Sequence, residues 1–345
     1  MKKFIKPLVI LCVIGAIIAV VASYGMGIYR DFMKDYNGTE AYQGEDFTIE
    51  VPMGANANSI GLLLKEHGVI TYEKAFAKRV KDSAYNGKIK YGTYTITKGM
   101  TLDDMIALMS AGDTRETLKF TIPEGYSVEM IAQKLDSEGI CSKEDFLLAV
   151  QATDYDYDFL DFTQVEGTKY YLQGFLFPAT YEIFVGETAH DIVNRMLTAF
   201  SQRYTAEIQQ KAKELGKSTY EVVTIASIIE REAKLQEERP TISGVIYNRL
   251  EINMKLQMCP TVLYPLTDGM YDVSQVLYDD LEIESPYNTY KYEGLPVGPI
   301  CSPGAASLEA AVNPEEHSYL FYHTDDEATG SHIFSETYEE HQNTR

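Results

Sequence analysis

Tryptophan is absent from this 345-residue chain, cysteine is scarce at 4, and 30 basic side chains face 51 acidic ones. Each shortage excludes something. The formal net charge of -21 removes nucleic acid from the partners, because a phosphate backbone calls for a basic surface and the basic residues here are scattered. Cys12, Cys141, Cys259 and Cys301 show no CxxC pair, no zinc-ligand spacing and no dense disulfide framework. His67, His190, His317, His323, His332 and His341 lie far apart with no HExxH, so neither a metal site nor a cofactor is predicted. Tyrosine, by contrast, is plentiful at 26, which suits carbohydrate faces and ordinary cores alike.

The amino end is the first informative stretch. Lys2, Lys3 and Lys6 precede PLVILCVIGAIIAVVASYGMGIY, residues 7–29, which carries no charge. A helix of that length crosses a hydrocarbon core of about 30 Å. Lysines ahead of the run favour a cytoplasmic tail at residues 1–6 and a single pass through the cell membrane, with the remainder on the outer face. Arg30 and Lys34 behind the run weaken the asymmetry. A cleaved signal peptide is the alternative, but the run is long for one and no A-x-A site follows. Residues 30–45 (RDFMKDYNGTEAYQGE) read as a polar, turn-rich linker.

An internal echo follows. VPMGANANSIGLLLKEHGVITYEKAF from Val51 and IPEGYSVEMIAQKLDSEGICSKEDF from Ile122 align at a single offset. Pro52 then matches Pro123, Gly54 matches Gly125, Ile60 matches Ile131, Leu64 matches Leu135 and Gly68 matches Gly139. Each copy reads as a strand, a turn at Pro-x-Gly, an amphipathic helix ended by glycine, and a second helix start, the later one capped by Ser142 and Asp145. Between the copies, IKYGTYTITKGMTLDDMIALMSAG predicts a strand and a helix capped by Thr101 and Asp104. Residues 46–113 therefore order as strand, helix, helix, strand, helix. Their first four elements resemble a LysM-like module, which implies binding to N-acetylated glycans; a structural spacer is the plainer alternative. The fold class is α+β: a transmembrane helix, this small module, and a larger mixed domain over 114–345.

The helix from Ser218, STYEVVTIASIIEREAKLQEE, concentrates the chemistry. Ser218 and Glu221 have capping-box spacing, and Val222, Val223, Ile225, Ala226, Ile228 and Ile229 make it apolar nearly all round, hence central. Glu230 is the first acid after that run. A carboxyl held against apolar neighbours is disfavoured in its charged form, which suits a proton donor. The plainer role is an acid that meets solvent or pairs with Arg231 or Arg249. Glu232 lies about 200° round the helix and faces elsewhere.

IASIIEREA, ISGVIYNRLEINMKLQ, PTVLY, SPYNTYKYEGLPVGPICSPGAASLEAAVNP and YLFYHTDDEATGSHIFSETYEEH, with YLQGFLFPATYEI upstream, resemble the endolytic murein transglycosylase (YceG-like) family. The resemblance covers roughly residues 117–343 in consistent order. It implies endolytic cleavage of nascent peptidoglycan glycan strands at the MurNAc–GlcNAc bond, leaving 1,6-anhydro-MurNAc ends. It also implies Glu230 as the catalytic acid and base, and membrane-bound peptidoglycan synthases as partners. Gln257, Tyr287, Asn288, Thr289 and Tyr290 are the predicted substrate-binding residues, although SPYNTY is equally suited to shaping a loop. Glu182 is the nearest spare carboxylate by motif, and His332 reads as a structural histidine.

Three positions depart from the family pattern: Gln173 in place of an acid, Ala179 after Pro178, and Met258-Cys259 where a hydroxyl and an acid are common. These favour a second reading, a weakly active or inactive peptidoglycan-binding scaffold for wall synthases. A hydrolytic muramidase is a third. Cys259 and Cys301 both fall in motifs expected to line the site, so they are candidates for a disulfide bracing two loops, with two buried thiols as the alternative.

Overall fold

The computed structural model describes residues 23–52, 54–112, 117–161, 167–273, 276–326 and 328–344. Most of the predicted anchor, residues 7–29, lies outside them; among the described residues no helix is long and apolar enough to cross a membrane. The chain divides into two compact units, Met1–Arg115 and Glu116–Arg345. Both mix helices with antiparallel strand pairs.

The expected linker is shorter than the sequence implied. Residues 23–37 form a helix (α1), so the polar stretch is helical as far as Asn37. Gly38, at φ +63, supplies the left-handed residue that ends it. Asp35 on this helix accepts the backbone N–H groups of Thr71 and Tyr72, both at 2.8 Å, which ties α1 into the first unit.

The rest of that unit runs in the predicted order: β1 (Phe47–Val51), α2 (Ala57–Glu66), α3 (Glu73–Asp82), β2 (Gly92–Ile96) and α4 (Leu102–Ala111). β1 and β2 pair with Phe47 opposite Ile96 and Val51 opposite Gly92. Alternation places Ile49, Val51, Tyr94 and Ile96 inward, against Ile60, Leu64, Phe76 and Met105 from the helices. The Thr101–Asp104 capping box starts α4 as expected.

The echo is structural. In the second unit β3 (Thr117–Thr121), α5 (Val128–Ser137) and α6 (Lys143–Ala149) repeat β1, α2 and α3. The two amphipathic helices have the same length, 10 residues, and begin at positions the echo puts opposite each other. Gly68 and Gly139 both stand at φ +70 after their helices. β3 finds its partner in β4 (Thr180–Phe184), with Phe120 opposite Tyr181.

Beyond β4, apolar periodicity predicts long helices over 189–214 and 218–238, and each is divided. The segment 189–214 splits into α7 (Ala189–Arg203) and α8 (Ala206–Glu214), because Thr205 caps a new helix by accepting the Ile208 N–H. The segment 218–238 stops as α9 (Thr219–Glu232), where Ala233 turns extended. A 3₁₀ turn at Gln236–Glu238 then leads into α10 (Arg239–Glu251), with Pro240 in the first turn where its missing N–H is harmless. α11 (Pro260–Leu266), α12 (Ala305–Ala311), the hairpin β5 (Phe321–Asp326) and β6 (Ser331–Ser335), and α13 (Tyr338–Asn343) complete the unit.

α9 is the spine. Its six predicted apolar positions from Val222 to Ile229 are all fully buried. Burying each large aliphatic side chain contributes roughly 1.5–3 kcal/mol relative to exposure. The two polar residues within the 222–229 run are satisfied: Thr224 Oγ1 donates to the Tyr220 carbonyl, and Ser227 Oγ donates to the Thr224 carbonyl while accepting the Ile300 N–H at 3.1 Å. Gly174, at φ +88, lets the chain pass between Val223 and Pro299, where a β-carbon would collide with both. Two substitutions separate capping from packing. Ser218→Ala should lower unfolding stability by about 1 kcal/mol. Ile228→Ala should lower it by roughly 2–5 kcal/mol, since it leaves a cavity in the spine. Urea titration of both variants checks this; an Ile228→Ala midpoint equal to wild type would show that α9 is not central.

Candidate active site

Glu230 occupies the last turn of α9 with a side chain only 7% exposed. Its Oε2 accepts the Gly304 N–H at 3.0 Å, and its Oε1 faces the Arg239 Nη2 at 3.4 Å. Arg239 is itself fixed, its Nε donating to Ser307 Oγ at 3.0 Å on α12. Two loops close on the same point. The Gly125 N–H donates to the Ser302 carbonyl at 2.9 Å, and the Ser302 N–H donates to the Tyr126 carbonyl at 2.7 Å. That pairing brings Gly125 to the Glu230 side chain: a β-carbon there would sit 3.9 Å from Cγ of the acid.

The expectation of purely apolar surroundings needs correction. The helix beneath Glu230 is apolar, but both carboxyl oxygens meet donors. Nor are the foreseen arginines its partners. Arg231 lies over the Tyr271 ring at 3.8 Å and donates to the Gly125 carbonyl, while Arg249 serves the carbonyls of Leu256 and Leu320. Arg239, 9 positions on from Glu230, reaches it because the chain reverses between α9 and α10. Pro240 was the available signal for that reversal.

The other predicted site residues do not share one place, and Tyr290 lies near Glu232. Burial holds the Glu232 carboxyl above its ordinary range, against the opposing effects of the Tyr322 hydroxyl, His332, Arg249 and Arg231. The Tyr290 phenol shares a 3.2 Å hydrogen bond with Cys259 Sγ; burial raises it first, then that bond and the nearby charges of Cys259 and Glu232. Gln257 is exposed in a left-handed conformation, φ +49, with its N–H donating to the Thr289 carbonyl. Thr289 is buried, bonded to Thr261 Oγ1 at 2.7 Å and accepting the Met258 N–H. Asn288 is buried too, its amide donating to the carbonyls of Leu281 and Ile283 while its oxygen accepts the Tyr290 N–H. Tyr287 packs edge-on against Tyr264, and burial pushes its phenol up to about 12. Asn288 and Thr289 thus brace the loop, and Gln257 and Tyr290 are the members less deeply enclosed. Glu182 sits on β4, bonded to Thr117 and near Lys119 on the strand pair. His332 Nδ1 is bonded to Glu238 at 2.6 Å.

The YceG-like family model matches residues 49–345. The chain belongs to the YceG-like family. It is 33% identical over 334 residues to a Bacillus subtilis protein named endolytic murein transglycosylase, covering 93% of this chain and 88% of that one. It is 30% identical to the protein of the same name from Streptococcus pneumoniae, covering 89% of this chain and 59% of that longer relative. A crystal structure of a YceG-like protein from Listeria monocytogenes superposes with a TM-score of 0.61 at 34% identity, covering 87% of this chain and 99% of that one.

In this YceG-like chain the departures have structural substitutes. Gln173 is buried and its Oε1 accepts the Val128 N–H at 3.0 Å, capping the first turn of α5. At Ala179 it is the backbone that matters, the carbonyl accepting the Ile122 N–H. Met258 Sδ accepts the Tyr322 hydroxyl at 2.9 Å, so sulfur meets a phenol at both Met258 and Cys259. The Cys259–Cys301 disulfide is not formed. Both cysteines and Cys141 are free thiols, and Cys301 is buried with its Sγ donating to the Ser227 carbonyl at 3.3 Å, committed to α9 and not to the loop of Cys259. Thiol counting checks this: Cys141, Cys259 and Cys301 should all titrate in the unreduced, unfolded protein, while in the folded protein exposed Cys259 reacts and Cys301 stays silent. Removing Arg239 should strand a buried acid, so Arg239→Ala is expected to lose roughly 3 kcal/mol of stability. A wild-type denaturation curve for that variant would remove the ion pair from the account.

Proposed function

We propose that the chain is an endolytic murein transglycosylase that cuts the MurNAc–GlcNAc bond within peptidoglycan glycan strands and leaves 1,6-anhydro-MurNAc ends. The names of its relatives support the activity. The observation that supports the residue is Glu230: a nearly enclosed carboxyl ending a buried helix, with a fixed amide and a fixed guanidinium at its two oxygens.

Hydrolytic glycosidases use two carboxyls because one donates a proton while the other activates water or attacks the sugar. A muramyl residue carries its own nucleophile, the C6 hydroxyl, tethered to the reacting ring. The tether supplies the effective concentration that a bound water would otherwise need. Glu230 protonates the glycosidic oxygen as the bond to the anomeric carbon breaks. The resulting carboxylate, steadied by the Gly304 N–H and Arg239, takes the proton from the C6 hydroxyl as it closes on that carbon. Atoms balance without water. The lesser burial of Gln257 and Tyr290 supports them as the residues that contact sugar.

The lysines before residues 7–29 and the length of that apolar run support a single-pass anchor with the second unit on the outer face. The strand-helix-helix-strand order of the first unit supports a LysM-like, glycan-holding role, and nascent strands imply membrane-bound synthases as partners. Two rivals have specific support. A scaffold with a decayed site is favoured by sulfur at Met258 and Cys259; Glu232 as the acid is favoured by its burial and its contact with Tyr322.

One experiment separates them. The purified full-length chain is given glycan strands, and new ends are identified by mass. Glu230→Gln should reduce the release of anhydro ends by roughly 10²- to 10⁴-fold. Glu232→Gln should retain more than a tenth of wild-type activity, because its side chain is committed to Tyr322 and its neighbours. The reverse order would transfer the acid to Glu232, and binding without new ends in the wild type would establish the scaffold.

A further inference from the structure

Glu124 is a second acid at the same point, and the mechanism above leaves it without a task. It stands in the Pro123–Tyr126 loop that pairs with Ser302, beside Gly125. Gly304 carries both acids: its N–H binds the Glu230 Oε2, and a β-carbon on it would run into the Glu124 carboxylate. The two carboxyls therefore lie at one glycine, and Arg239 faces the Oε1 of Glu230. The echo marks the residue as well. The first copy has Met53 between its proline and glycine; the acid is present in the copy that abuts α9.

We propose that Glu124 is a positioning residue for the Glu230 acid: its carboxylate, beside the glycine that binds Glu230, opposes the charge of the Arg239 guanidinium. This rests on Glu230 being the proton donor. A guanidinium beside a carboxyl favours the ionised form, which has no proton to donate. A second negative charge nearby opposes that bias, and two acids with one guanidinium are neutral when a single proton is present. Burial and then the Glu230 charge hold the Glu124 carboxyl above its ordinary range, with Arg239 opposing. Other groups around Glu230 do not take this role. Arg231 is turned onto Tyr271 and the Gly125 carbonyl, and burial keeps the Cys301 thiol protonated, its ionisation pushed well up. Glu124 is exposed whereas Glu230 is not, so a bound glycan would cover it and strengthen its influence. The proton passes from Glu230 to the leaving oxygen and returns from the C6 hydroxyl; Glu124 forms no bond to sugar.

The test is the pH dependence of kcat and KM for the full-length chain. An acid that must be protonated loses activity on the alkaline limb, and removing a neighbouring negative charge makes it lose its proton at lower pH. Glu124→Gln should therefore move the alkaline limb of kcat down by roughly one pH unit with KM within about twofold. Glu124→Ala reads the same shift should the glutamine variant fail to fold, and Glu124→Asp should return the limb toward wild type. A purely structural role would lower the amplitude and leave the limb in place, and that result overturns the proposal. Glu230→Gln runs alongside. If it keeps wild-type activity, the assignment of the acid falls and this inference with it; if it is inactive while the Glu124→Gln limb stays put, only the inference fails.

Discussion

A buried carboxyl held between one backbone amide and one guanidinium is the constraint around which the second unit is arranged. Moving such a group out of water costs several kcal/mol unless its oxygens find donors. Glu230 finds two, and each belongs to a different piece of chain: Gly304 ahead of α12 and Arg239 at the start of α10. Those pieces are anchored in turn. Ser307 on α12 holds Arg239, Ser227 inside α9 holds Ile300 and Cys301, and Ser302 is paired with the Pro123–Tyr126 loop. The acid and the core are consequently one construction. A shift of α9 would displace the acid, both its donors and the loop that carries Glu124.

The same arrangement suits the proposed reaction, in which one residue touches the reacting atoms. In that scheme the proton donor also becomes the base, and a fixed amide and guanidinium are suited to stabilising the carboxylate between those two events. Glu124, beside Gly304, is the counterweight in the proposed scheme. Such opposed neighbours are a recurrent way to keep a carboxylic acid usable near neutral pH.

Much of the fold was readable because local signals agreed. The Pro-x-Gly echo anticipated two β-α-α modules, and the boxes at Thr101–Asp104 and Ser218–Glu221 fixed where α4 and α9 begin. The unbroken apolar face from Val222 to Ile229 announced a buried helix ending in an acid. What failed depended on partners remote in sequence or on unnoticed breaks. Thr205 and Ala233 divide helices that periodicity alone ran together. Arg239 and Gly304 reach Glu230 only through tertiary packing, so no spacing rule identified them. Asn288 and Thr289, chosen for their hydrogen-bonding capacity, spend it on the loop itself. Cys259 and Cys301 fall in neighbouring motifs, yet one is bonded to Tyr290 and the other to α9.

The central claim is that the sugar's own hydroxyl, and not water, receives the anomeric carbon once Glu230 has given up its proton. Digesting glycan strands in oxygen-labelled water tests it most directly. Products that carry no solvent oxygen at the new muramyl ends are predicted; one labelled oxygen at every cut would contradict the account and make the enzyme a hydrolase.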